Sequence, residues 1–193
     1  MSIVRTRTYT RTDASVPFHR DSSEPAVTAI NPALQSLKDR GVLTSVATES
    51  PDQLTILVTQ TIQDLASLGE FDTLVGIDVD AEFTAYSFNH GHVRVGVPTL
   101  EGVGSAFTAT YVYTFPSAGL ASHDLLSALV STYATVHPVN TINNTIGDTT
   151  ITLVTKFLTE TDFVVNSWAD FTLATSLHAD GVTRTITYAE VTE

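Results

Sequence analysis

Val, Leu and Ile are interspersed with Thr along Val42-Leu43-Thr44-Ser45-Val46-Ala47-Thr48 and again along Leu54-Thr55-Ile56-Leu57-Val58-Thr59-Gln60, two strand-like runs. Between them lies Glu49-Ser50-Pro51-Asp52, so the pattern predicts two strands joined by a Pro-Asp turn. The same arrangement returns in Val139–Thr145 and Thr150–Lys156 around Ile146-Gly147-Asp148, where Leu153-Val154-Thr155 matches Leu57-Val58-Thr59. Helical spacing precedes each hairpin: Val27–Arg40 with Ala33, Leu34 and Leu37 on one face, and Ala121–Tyr133 with Leu125, Leu126, Leu129 and Val130. Gly41 is a natural stop for the first helix, and Pro32 marks its expected start at Asn31. Each half opens on a strand, Ile3–Thr10 and Ser105–Phe115. After each hairpin a second helix is predicted, about Thr61–Leu68 and about Thr161–Phe171, and then a closing strand, Ala81–Phe88 and Val182–Tyr188. His92–Pro98 reads as a short extra strand, and the stretch 99–104, with Gly102 and Gly104, as a linker.

The order β-α-β-β-α-β therefore occurs twice, which resembles the ferredoxin-like split βαβ arrangement in tandem. The expected fold class is α+β. Residues 1–98 form the first copy with an amino-terminal arm and the extra strand, and residues 105–193 form the second. One such unit is an antiparallel sheet with two helices on one face and nothing on the other. Two copies can cover that bare face by packing sheet on sheet or by joining edges, as an internal pseudo-dimer.

Composition narrows the partners. With 42% apolar and 16% charged residues the chain has the makeup of a protein that buries a core. Twenty-one acidic against nine basic side chains give a formal charge of -12, which repels phosphate backbones and anionic lipid, so neither nucleic acid nor membrane is an expected partner. The one basic concentration is Arg5, Arg7, Arg11 and Arg20, with Thr6, Thr8 and Thr10 interleaved. It reads as the polar face of an exposed strand, or as a patch that docks onto an acidic neighbour. The absence of cysteine excludes disulfides and cysteine-based metal or redox chemistry. No apolar h-region follows Met1 and no run approaches the ~18 residues of a membrane span, so neither a standard export signal nor a transmembrane helix is expected.

Candidate chemistry is thin. His90 and His92 share one face of a strand by their spacing, as some metal sites need, but no third ligand lies nearby in sequence. Asp78, Asp80 and Glu82 alternate in the same way without the spacing of a calcium loop, and read as a solvated or partner-facing acidic strip. Ser122, His123 and Asp124 hold the residue types of a hydrolytic triad, but neighbours on a helix point about 100° apart and cannot converge. No phosphate loop, HExxH or GxSxG occurs. Trp168, Tyr111, Tyr113 and Phe115 are expected in the core. No catalytic residue, cofactor or metal is expected.

The opening Ile3-Val4-Arg5-Thr6-Arg7-Thr8-Tyr9, then Val16-Pro17-Phe18-His19, the Thr-rich hairpins, the segment with Phe163 and Trp168, and the closing Thr183-Arg184-Thr185-Ile186-Thr187-Tyr188 resemble small virion proteins of tailed bacteriophages. The resemblance implies a non-enzymatic component of a capsid, neck or tail, assembled in the host cytoplasm, whose partners are other virion proteins and copies of itself. An arm through Ser23, polar and turn-rich from Arg11 to Pro25, would order on a neighbour. The doubled unit also resembles the dimeric α/β-barrel enzymes, which implies the alternative of a small-molecule enzyme or ligand binder with a pocket between the copies.

Overall fold

The computed structural model describes residues 2–11, 13, 25–74, 76–77, 92–136, 141–158 and 171–191. The first unit contains β1 (Ile3–Arg11), α1 (Pro25–Asp39), β2 (Leu43–Glu49), β3 (Thr55–Ile62), a helix α2 over 65–74, and β4 (His92–Glu101). The second contains β5 (Phe107–Thr114), α3 (Ala121–Val136), β6 (Thr141–Ile146), β7 (Thr150–Phe157), α4 (Phe171–Ala179) and β8 (Thr183–Glu190). Both sheets are antiparallel and four-stranded, in the orders β2-β3-β1-β4 and β6-β7-β5-β8. The chain is thus a duplicated α+β protein of the ferredoxin-like kind, with the same strand order in both halves.

Alternation fixes which side of each sheet is covered. In β5 the odd positions Phe107, Ala109, Tyr111 and Tyr113 are buried, and on β7 their partners Phe157, Thr155, Leu153 and Ile151 are buried with them. Leu126 and Val130 of α3 and Leu173 and Leu177 of α4 belong to the same core, as does the tilted pair of rings Phe107 and Phe157, 5.0 Å between centroids. In the first unit Ile3, Leu43 and Ile62 form the corresponding floor under Leu37, Leu65 and Leu68.

Two helix ends carry one motif. Ser36-Leu37-Lys38-Asp39-Arg40-Gly41-Val42 closes α1, and Ser176-Leu177-His178-Ala179-Asp180-Gly181-Val182 closes α4. In each the glycine takes a left-handed conformation, with φ of 74° at Gly41 and 68° at Gly181. The amide of the following valine returns to the leucine carbonyl at 2.9 Å in the first and 3.0 Å in the second. This is a Schellman closure, and the leucine and valine it brings together are buried in both copies.

Several expectations need correction. The helix expected to start at Asn31 starts at Pro25, a proline at the first helical position, and Pro32 lies inside it. Thr61 and Ile62 finish β3, so the second helix begins later than Thr61. The strand beside β1 is not broken at Pro98. Thr8 pairs with Val95 and Thr6 with Thr99, so Gly96, Val97 and Pro98 bulge opposite Arg7 and pairing resumes up to Glu101, inside the stretch expected to be linker. The sequence match of Leu57 with Leu153 is one residue out of phase: Leu57 pairs with Thr8 and Leu153 with Tyr111, which lie on opposite faces of their sheets, and the residue equivalent to Leu153 is Val58, opposite Arg7. Ala81–Phe88 and 161–170 lie outside the described residues. Ile3–Arg11 is a central strand paired on both sides, and of the expected arm beyond it 14–23 lie outside the described residues.

The halves meet through α2. Instead of sheet packing on sheet, this helix of the first unit runs against the outer edge of β8 in the second. Ile186 turns its amide and carbonyl away from β5, and both engage the Thr73 hydroxyl, which accepts from the amide at 2.8 Å and donates to the carbonyl at 3.1 Å. Gly69 lets the two backbones approach, since a Cβ there would stand 2.9 Å from the Ile186 carbonyl oxygen and 3.2 Å from Thr187 Cα. Asp64 caps the start of α2, its carboxylate accepting from the Ser67 amide at 2.8 Å, and this bond holds its pKa below the usual carboxylate value. Gly69→Ala is expected to lower stability by about 1–3 kcal/mol, because backbone on both sides must shift. An unchanged urea midpoint would show that α2 does not seat on β8 in this way.

Candidate functional site

Arg5, the first residue of the basic cluster, does not face solvent. It lies on the covered side of β1 beside Ile3, 4% exposed, and forms an ion pair with Asp72 of α2. Its guanidinium also stands over the Phe71 ring, 5.5 Å from the centroid. The other Asp72 oxygen accepts from the Tyr188 hydroxyl of β8 at 2.7 Å. One carboxylate thus joins the first sheet to the second. Burial pushes the Tyr188 phenol well above its ordinary value of 10.0, and the neighbouring charge of Asp72 adds to the effect. A buried pair of this kind fixes geometry more than it adds stability, and it presents no group to a substrate.

The remaining basic residues are not brought to the same place. Arg7 is half-buried two residues along β1, Arg11 ends that strand opposite His92, and Arg20 lies outside the described residues. The same holds for His90, Asp78, Asp80, Glu82, Val16–His19, Phe163 and Trp168. Tyr111, Tyr113 and Phe115 are in the core, as expected. Among the described residues no three His, Asp or Glu side chains cluster as a metal requires, and no helix is long and apolar enough to cross a membrane.

The Ser122-His123-Asp124 run adopts no relay. His123 Nε2 donates to the Gly147 carbonyl at 2.7 Å, which leaves Nδ1 as the acceptor, and the hydroxyl beside it is that of Ser127 at 3.5 Å. Ser122 is wholly buried, its amide donating to Asp180 at 3.3 Å, while Asp124 lies on the surface. The ring of His123 packs edge-on to Phe115, 4.9 Å between centroids, so the imidazole pins the β6–β7 turn to α3.

What the described residues leave open are strand edges and sheet faces. β2 and β6 end their sheets with no strand beyond them, and from Leu43 to Thr48 and from Thr141 to Ile146 neither contains a charge or a proline. Each is irregular only at its start, between Leu43 and Ser45 and between Thr141 and Asn143. Such edges are usually guarded by lysine, proline or a covering segment, as α2 covers β8. Sequence reading named the edges in general. It did not identify which ones, because that depends on the Asp72 and Thr73 contacts, which join residues 113 and 116 positions apart.

No protein-family model and no curated protein matches the chain. Among solved structures it is similar to an unknown protein from Galdieria sulphuraria, at 12% identity over 100% of both chains with a TM-score of 0.23. It is also similar to a provisionally assigned glycine cleavage system transcriptional repressor, at 9% identity over 99% of both chains with a TM-score of 0.22. The fold assignment rests on the strand order.

Removing either side of the Asp72 junction has a graded effect. Asp72→Ala strands the buried Arg5 charge and is expected to cost about 3–5 kcal/mol, whereas Tyr188→Phe removes one neutral donor and costs about 1–3 kcal/mol. Equal losses in urea unfolding would contradict a charged junction. The folded state holds the Tyr188 proton more tightly than the unfolded chain, so its contribution is intact below about pH 10 and is lost as the pH rises beyond it. The stability gap between the native chain and Tyr188→Phe should therefore be constant below about pH 10 and narrow as the pH rises above it. A gap that stays constant above it as well would mean that the phenol is not buried.

Proposed function

We propose that this chain is a non-enzymatic structural component of a bacteriophage particle, in the capsid, neck or tail, that works through contacts with neighbouring virion proteins and with copies of itself. The observation that supports this reading most is the pair of edges on β2 and β6 that no described residue covers, uncharged from Leu43 to Thr48 and from Thr141 to Ile146. A strand edge offers a row of backbone donors and acceptors that a strand of another subunit completes, giving affinity without a shaped pocket. Within β2, Val46 is 37% exposed at the middle of the free edge, where an incoming strand would cover it. Among the residues considered for chemistry, His123 is committed to a turn, whereas Arg5, expected in a docking patch, is held inside the fold and takes no part in this contact.

The experiment is to purify particles from cells that produce this chain and quantify it in the particle and soluble fractions by mass spectrometry. Many copies per particle are expected, together with loss of incorporation in Val46→Lys, a surface change that leaves thermal unfolding of the isolated protein nearly unaltered. Recovery of the chain solely in the soluble fraction would refute the assignment.

A further inference from the structure

We propose that the outer face of the second sheet is a self-association surface, on which a second copy of this chain seats the same face of its own second sheet. The face is defined by register. Across the sheet from its edge, Thr152 of β7, Val112 of β5 and Thr185 of β8 stand in one row, and Thr110 and Thr187 stand opposite each other in the next. The positions facing this way in β5, β7 and β8 are intermediate or exposed throughout, while the alternate positions are buried in β5 and β7 and at Ile186 and Tyr188 of β8. Nothing among the described residues covers the face.

Its chemistry differs from the rest of the molecule. The chain carries a charge of -12, yet no Asp or Glu occupies any outward position of β5, β6, β7 or β8, and the one charge there is Lys156, in the end row beside Thr108. The outward face of the first sheet, by contrast, carries Glu49 and Glu101, both exposed. Two copies of so acidic a chain repel one another wherever acids meet, so the acid-free face is where they approach at least cost. A basic partner would select acidic residues, which this surface lacks.

Shape and area agree with a second copy. Threonine and valine are short and β-branched, and give a surface of even height like the inner faces of packed sheets about 10 Å apart. Four strands about 4.8 Å apart and roughly eight residues long at ~3.4 Å each make a face of roughly 500 Å². Face-to-face contact therefore buries about 1,000 Å² in total, the lower end for a specific interface. A two-fold pairing puts Lys156 of each copy away from its mate, because the end row is off the axis.

The inference goes beyond the particle assignment and is tested separately, by sedimentation equilibrium of the full chain from about 1 to 200 μM. We expect reversible conversion from the 20.7 kDa monomer to twice that mass. Thr110→Glu, at the centre of the face, should leave the protein monomeric with an unchanged circular dichroism spectrum and melting temperature, and Thr110→Val should still dimerise. A native chain that stays monomeric, an open-ended series of larger species, or a Thr110→Glu protein that still dimerises would each overturn the proposal. A monomer that nonetheless enters particles would refute this pairing and leave the particle role standing. A dimer absent from particles would do the reverse.

Discussion

The contact between α2 and the edge of β8 is the constraint from which the rest of the arrangement follows. A ferredoxin-like unit has a helix side and a bare side, and each sheet also has two open edges. In this chain one edge of the second sheet is closed by a helix of the first unit, with Gly69 admitting the close approach, Thr73 taking both backbone groups of Ile186, and Asp72 holding Arg5 and Tyr188 at once. Because the helix is already used as the joint, the sheets have no need to stack, and none of the described residues covers the outward face of the second.

The joint combines two kinds of specificity. The glycine contact is steric and tolerates no side chain, while the carboxylate contact is electrostatic and unforgiving of removal from a buried position. Gln60 beside Arg5 and Thr155 beside Ala109 are equivalent in the two units, and both are buried polar side chains on the covered faces of their sheets. The two copies have thus diverged most where the first unit carries the charged junction and the second carries Phe107, Phe157 and Tyr188 rings.

Much of the fold was legible because local pattern and global position agree. The hairpins, the opening strands and the bodies of the helices expected at Val27–Arg40 and Ala121–Tyr133 follow from apolar spacing, with Gly41 as the stop after the first, and these signals act over a few positions. Three features were not legible for physical reasons. Pro98 looks like a strand end, and only pairing with Thr6 and Thr8 reveals a bulge that passes it. Leu57 and Leu153 share a tripeptide, but facing depends on register, which a one-residue slip inverts. Arg5 looks like its neighbour Arg7 in sequence, and its burial depends on Asp72, 67 residues away. The repeated helix closure at Gly41 and Gly181 was in plain view as Ser-Leu followed by Gly-Val, and went unread since it joins the first helix of one unit to the second helix of the other.

The place of β1 in the first sheet also sets an order of events during synthesis. Ile3–Arg11 is made before both of its neighbours, Thr55–Ile62 and His92–Glu101, and the Asp72 carboxylate meets the Tyr188 hydroxyl 116 residues later. Long-range closures of this sort are slow, because the intervening chain must be confined before any contact rewards it. The strand and its buried arginine therefore wait for segments made later, and the first unit acquires the partner for α2 only when Thr183–Glu190 has emerged.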